Sequence, residues 1–273
     1  MSFDPYNRTH ELNEAATSAI ATRLESRGED PFFVRMLDDY LNEMDVESLD
    51  LVLDIGCGTG VASRRLAARA DFHGRVIGVD RSAKLIESAR DKAAGERVTD
   101  KADFQVGDAT DLGTLTGEFD AALAHTLVSH VDDPPTVLKE IAACVRPGGR
   151  LAVFDGDYAS WVYAGAHAAA GQELAEAVIA GAITAPNVMR TLPTHVHALG
   201  LEIVSTKSYV LAEIGTASFF ASSLASYPTL LPASGIADAE TVQRWVDIQM
   251  ENSANGTFFG SINFYTYVLR RQN

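Results

Sequence analysis

The chain has 273 residues, enough for one Rossmann-sized domain with additions or for two small domains. Hydrophobic residues make up 47% and charged residues 22%, which supports a packed core and excludes a disordered chain. A net charge of −15 works against phosphate backbones and anionic membrane surfaces, so nucleic acid is not the expected partner. The only two cysteines, Cys57 and Cys144, make neither a disulfide framework nor a zinc site, and no metal is expected. Free thiols, the absence of a basic-then-apolar leader and the absence of an apolar run of ~18 residues point to a cytoplasmic chain without a membrane span.

In chain order, residues 9–45 read as helical, because Leu12, Ala16, Ile20 and Leu24 recur at helical spacing, as do Phe33, Met36, Leu37, Tyr40 and Leu41. A short apolar strand at 51–55 ends at Asp54-Ile55 and runs into a glycine turn and a helix over 61–70. Strand 75–79 ends at Asp80, and Ser82 caps a helix through about residue 94. Strand 103–106 ends at Gly107-Asp108, and strand 119–124 ends near His125. A helix opens with Pro134, the turn 146–149 follows, and strand 150–154 ends at Asp155. The pattern then predicts helices over 159–182 and 187–199, a strand over 201–214, helical segments over 216–254 broken at Pro228 and Pro232, and a last strand over 257–270. Alternating strands and helices predict an α/β fold. Its seven-stranded, mostly parallel, Rossmann-like sheet has an antiparallel last strand and a helical lid. The expected organisation is a helical cover over 1–45, a nucleotide-binding core over 46–157, and a completing part over 158–273 whose lid lies at about 216–254.

Ligands of such sheets bind at the carboxyl ends of the strands. Here those ends carry Asp54, Asp80, Asp108, His125 and Asp155. The run Asp54-Ile55-Gly56-Cys57-Gly58-Thr59-Gly60 allows a tight turn and a close backbone approach to a ligand. Asp80, about 20 residues beyond that loop, stands where an acid can accept from both hydroxyls of a ribose. Val61 occupies the place of the third glycine of a dinucleotide-binding dehydrogenase loop, and no Gly-Lys-Ser/Thr follows as in a P-loop.

The glycine loop resembles motif I of class I methyltransferases that use S-adenosylmethionine (SAM), and the wider run resembles their UbiE-like branch. Gly107-Asp108-Ala109, the segment His125 to Val131 before Asp132-Asp133-Pro134, and Arg146-Pro147-Gly148-Gly149 continue the likeness. It covers roughly residues 30–157 and extends to the last strand. The resemblance implies SAM as cofactor and S-adenosylhomocysteine (SAH) as product. Asp54, Gly56, Cys57, Gly58, Gly60, Asp80, Arg81, Asp108, Ala109 and His125 would form its site, with Tyr6 and Arg35 as cover. It implies methyl transfer to an oxygen, nitrogen or carbon of a small, partly apolar molecule of secondary-metabolite or quinone type. The alternative is a SAM-binding protein of the same fold without transfer. Methyl transfer needs a base only when the acceptor must lose a proton. Candidates are His125, His130 and Asp157, with Asp155 and Tyr158 nearby. The acceptor is expected under the N-terminal helices and a lid rich in Phe219, Phe220, Leu224, Tyr227, Leu230, Leu231 and Trp245, and a homodimer is allowed.

Overall fold

The first strand, Leu51–Ile55 (β1), is buried along almost its whole length, as a central parallel strand covered on both faces must be. The computed structural model describes residues 4–115, 119–164, 175–176, 179, 181–234 and 237–272. Around β1 stand Arg75–Asp80 (β2), Ala102–Val106 (β3), Phe119–His125 (β4), Val145–Ala164 (β5), Leu201–Gly215 (β6) and Phe258–Arg271 (β7). They form one seven-stranded sheet in the order β3-β2-β1-β4-β5-β7-β6. The first five strands pair in parallel, and β7 inserts antiparallel between β5 and β6. The order reverses between β1 and β4, which opens a crevice at their carboxyl ends.

Helices cover both faces. Glu14–Glu29 (α1) is capped by Asn13, whose side chain accepts from the Ala16 amide. Asp30 caps Pro31–Glu43 (α2) by accepting from the Phe32 amide, and Pro31 takes the first helical position. Phe33, Met36, Leu37, Tyr40 and Leu41 of α2 are all buried. At ~1.5–3 kcal/mol for each large apolar side chain, that stripe fixes the helix on the sheet. Val61–Ala67 (α3) and Ala83–Glu96 (α4) share its cluster, while Pro134–Cys144 (α5) and Val188–Ala198 (α6) pack on the opposite face. Phe219–Ser234 (α7) and Ala239–Ala254 (α8) form the connection between β6 and β7.

Three expectations change. Residues 159–164 are strand, not helix, because β5 continues and buries Tyr158, Trp161 and Tyr163. Its register shifts between Asp157 and Val162, where Ser160 Oγ donates to the Asp157 carbonyl and accepts from the Asn263 amide, completing the ladder with a side chain. Most of 165–182 lies outside the described residues. The turn 146–149 is absorbed as an irregularity inside β5, opposite Asp120 of β4. Pro228 and Pro232 do not break α7 but lie inside it, one turn apart on one face.

Phe220 and Trp245 are buried against the aromatic side chains of β5 and β7, and Leu224 and Leu231 are buried in the same cluster. Leu230 lies outside the described side chains.

Candidate active site

The β1–α3 connection closes tightly. Gly56 and Cys57 amides both donate to the Val79 carbonyl, at 2.8 and 3.1 Å. Gly56 and Gly58 hold φ of +67° and +56°, a region that side chains rarely adopt, so a larger residue strains the loop at either position. Beyond it opens a cavity of about 310 Å3, in the size range of small-molecule sites. Tyr6, Asp54, Gly56, Cys57, Gly58, Asp80, Arg81, Asp108, Ala109, His125 and His130 all line it.

Asp80 Oδ2 accepts from the Gly58 amide and Oδ1 from the Ser82 amide, both at 2.9 Å. Each oxygen keeps a further lone pair, so two hydroxyl donors can still be received. Burial raises the Asp80 pKa, against the pull of those two amides. Asp108 accepts from the amide and hydroxyl of Thr110 and lies 3.8 Å from Arg81. Burial opposes its ionisation, but Thr110 and Arg81 outweigh it and hold the carboxyl below its ordinary value. Burial pushes Asp54 up to about 7; its Oδ2 takes the Ser63 hydroxyl, and its Oδ1 has no partner among the described residues. Burial also holds the Cys57 thiol well above its usual range, which makes it a filler rather than a nucleophile.

The N-terminal segment crosses the cavity as a strap tied by one carboxylate. Buried Asp4 accepts from the Tyr6 and Asn7 amides, from the amide and hydroxyl of Thr184, and from His130 Nδ1 at 2.8 Å. Burial works to raise the Asp4 pKa, but the His130 charge and these donors bring it below its usual value. An ionised carboxylate only accepts, so His130 carries its proton on Nδ1 and leaves the Nε2 lone pair free. Burial depresses His130, and Asp4 more than offsets this, so its pKa is raised. Tyr6 lies against the ring at 4.8 Å and Tyr158 meets its edge at 5.7 Å.

His125 is arranged in the opposite sense. Its Nδ1 lies 3.0 Å from the buried hydroxyl of Tyr40, and its ring stacks on Phe154 at 4.8 Å. A buried phenol needs an acceptor, and Nδ1 is the one Tyr40 has, so His125 carries its proton on Nε2. Burial, aided by Arg27, lowers its pKa to about 3. His125 is therefore a neutral donor, whereas His130 is a base in waiting.

Three expected residues stand elsewhere. Gly60 lies behind the loop, where a Cβ would strike Phe104 at 2.5 Å. Arg35 is exposed over the Phe32 ring, because the inward face of α2 is filled with apolar side chains. Asp157 is buried in an ion pair with Arg190 of α6 at 2.9 Å and does not line the cavity. Asp155 is also structural: it accepts from the Ser129 amide and hydroxyl and sets the turn that carries His130.

The sequence reading missed Asp4, Asn7, Arg27 and Thr126. Thr126, a β-branched residue at φ 55°, is held by its amide on the Phe154 carbonyl and by Arg27 on its hydroxyl, both at 2.7 Å. Arg27 shares the inward stripe of α1 with Ile20 and Leu24, a spacing visible in the sequence. No described residue of 216–254 lines the cavity.

Comparison with known proteins agrees with this geometry. The family described as "Methyltransferase domain" matches residues 52–149. Methyltransferase GfsG of Streptomyces halstedii is 35% identical over 121 residues, 44% of this chain and 43% of that protein. The 2-phytyl-1,4-naphtoquinone methyltransferase of Synechococcus elongatus is 40% identical over 106 residues, 39% of this chain and 46% of that protein. The alignments thus span less than half the length of these curated relatives. A solved putative methyltransferase of Bacillus halodurans shares the fold at TM-score 0.61 and 14% identity, covering 87% of this chain and 99% of its own. Sheet order, glycine loop and strand-end acids agree with the family match, and residues 52–149 carry a methyltransferase domain.

Proposed function

We propose that this chain is a SAM-dependent methyltransferase of UbiE-like type that methylates an oxygen of a small, partly apolar molecule. The observation that carries the reading is the convergence of two devices on one cavity. The glycine loop with Asp80 lines one part of it, and His130, fixed by Asp4, lines another. The name of one relative, a 2-phytyl-1,4-naphtoquinone methyltransferase, supports a partly apolar, quinone-type acceptor.

The residues present fit the cofactor. Asp80 has lone pairs for the ribose hydroxyls, and Asp108 keeps acceptor capacity for the adenine amino group. The unpartnered Oδ1 of Asp54 suits the α-ammonium, and Arg27 suits the carboxylate in place of Arg35. SAM, when bound, supplies a methyl group on a sulfonium whose leaving thioether is neutral. The chain need therefore provide no general acid. Its contributions are alignment and exclusion of water by the strap, and removal of the acceptor proton by His130 Nε2. Asp4 holds the ring and stabilises the imidazolium that results. His125 donates its Nε2 proton into the cavity and takes none.

The same reading includes the cover–core–completion division at 1–45, 46–157 and 158–273. It also takes α7 and α8 to back the acceptor space from outside, the site of action to be the cytoplasm, and a homodimer to be allowed. An acidic chain supports a small-molecule acceptor over nucleic acid. Among the described residues, no helix is long and apolar enough to cross a membrane.

Titration calorimetry tests the reading. SAM and SAH should bind on the micromolar scale and raise Tm, by about 2.7 kcal/mol of stabilisation at a hundredfold excess over Kd. No heat and no shift with either would overturn it. Binding without SAH release across a panel of phenols and alcohols would favour a SAM-binding protein without transfer.

A further inference from the structure

An edge strand exposes unpaired N–H and C=O groups, and folds blunt it by making it short, charged or bulged. The two edges of this sheet differ in that respect. β3 is five residues long and leaves Asp103 and Gln105 exposed. β6 is fifteen residues long and contains no proline. Its register shift lies between Ile203 and Ser205, so the ladder to β7 runs regularly from Ser205 to Gly215. Among the described residues six large apolar side chains are exposed, and four of them, Ile203, Val204, Val210 and Ile214, belong to β6.

The two faces of that stretch are built differently. On one face Lys207 pairs with Glu43 and Tyr209 donates to Asp39, both of α2. Glu213 of the same face accepts from the Ser218, Phe219 and Phe220 amides at the start of α7. Thr206, Ser208, Val210, Ala212 and Ile214 alternate with these and are all exposed, Val210 by 63% and Ile214 by 78%. No charge stands on that second face. One lysine and one glutamate leave 205–215 neutral on a chain of net charge −15, so this stretch adds nothing to the repulsion of a second acidic copy.

We infer that β6 is the contact between two copies of this chain, paired antiparallel about Val210 into one continuous sheet. Around a two-fold axis at Val210, Lys207 of each copy faces Glu213 of the other, so the ion pair forms twice. On the uncharged face Val210 meets Val210, Thr206 meets Ile214, and Ser208 meets Ala212. An axis at Lys207 or Glu213 would oppose like charges, and axes at Ser208, Tyr209 or Leu211 set both charges against neutral residues. An axis between two residues mismatches the free N–H and C=O groups. The seam over 205–215 is about 37 Å long and ~10 Å deep, about 400 Å2 per partner. That is half of the ~800 Å2 of a standard interface and fits a micromolar, reversible dimer. β6 does not line the cavity, so this contact stands apart from the methyltransferase reading.

Sedimentation of the full chain from micromolar to submillimolar concentration tests the contact. The mass should rise towards that of two copies and no further. Val210→Lys puts two ammonium groups on the axis and should raise the dissociation constant at least about tenfold. Its circular dichroism and Tm should change little, because the side chain is exposed in the single copy. Disulfide trapping reads the register. Val210→Cys should cross-link two copies under mild oxidation, since facing Cβ atoms lie ~4.5–5.5 Å apart. Ser208→Cys should not, because the two copies of that position lie four residues, about 14 Å, from each other. Wild type oxidised alongside accounts for Cys57 and Cys144. Should Val210→Lys misfold, the two cysteine variants decide. A chain that stays monomeric, a dimer that survives a folded Val210→Lys, or trapping as strong at Ser208 as at Val210 overturns the inference. Assembly beyond two copies does so too, since it needs a second surface.

Discussion

The two ends of the cavity solve opposite electrostatic problems by opposite means. At one end Asp80 and Asp108 are carboxylates held by close neighbours in sequence: the Gly58 amide 22 residues away, and Ser82 and Thr110 only two away. At the other end stand Arg27, His125 and His130. Their partners are remote, since Thr126 is 99 residues from Arg27, Tyr40 is 85 from His125, and Asp4 is 126 from His130. The acidic end is a product of strand ends and turns, and any chain with that turn chemistry builds it. The cationic end exists only once α1, α2 and the strap have docked. On the proposed reading the local end holds the ribose and adenine, while the remote end holds the cofactor carboxylate through Arg27 and the base through His130.

Breaking the remote end at its base should produce the largest effect. His130→Gln is expected to lower kcat by about a hundred- to ten-thousandfold, the usual worth of a positioned base, with SAH affinity changed little. The pH profile sharpens the assignment. His130 has a raised pKa, and the base must be neutral, so kcat should climb as pH rises through that raised value. Asp4→Asn removes the carboxylate that raises it and should move the acid limb to lower pH while reducing kcat. A limb that stays in place in Asp4→Asn would assign proton removal to another group.

At the local end, Asp80→Ala should weaken SAH about ten- to hundredfold by calorimetry, corresponding to roughly 1.5–3 kcal/mol for a charged hydrogen bond. At saturating SAM its kcat should change far less than that of His130→Gln. Unchanged affinity would mean that the ribose is held by other groups, and an equal loss in kcat would erase the contrast between the ends.

The same contrast decides what could be read from the sequence. The glycine loop, Asp80 and Asp108 were legible because strand, turn and acid lie within a few residues of one another. The parallel order of β1 to β5 followed from strand–helix alternation. Asp4 was not legible, since nothing near it announces a partner 126 residues away. The helix faces separate Arg35 from Arg27: Phe33 and Leu37 face inward, which turns Arg35 outward, whereas Arg27 continues the stripe of Ile20 and Leu24. The helix expected from residue 159 came from the alanines beyond 164, which outweighed the aromatic and β-branched run Tyr158 to Tyr163 that extends β5.

The smallest effect should come from the second histidine, and it separates a neutral donor from a base. Tyr40 donates its buried hydroxyl to His125 Nδ1, so Tyr40→Phe deletes one hydrogen bond and leaves that nitrogen without a partner. The expected cost is about 1 kcal/mol in denaturant unfolding at pH 7, with kcat reduced far less than in His130→Gln. Acid should expose the same burial. His125 is held neutral in the fold with a pKa of about 3, against an ordinary value of 6.5. Between those values the unfolded chain binds a proton that the folded chain refuses, so this group's contribution to stability is complete above about 6.5 and is lost as pH falls towards 3. His125→Gln removes the titration. The difference in unfolding free energy between wild type and this variant should therefore shift against wild type as pH drops from 7 to 4. A difference that stays constant across that range would mean His125 takes up its proton in the folded state. It would then be a second candidate base beside His130.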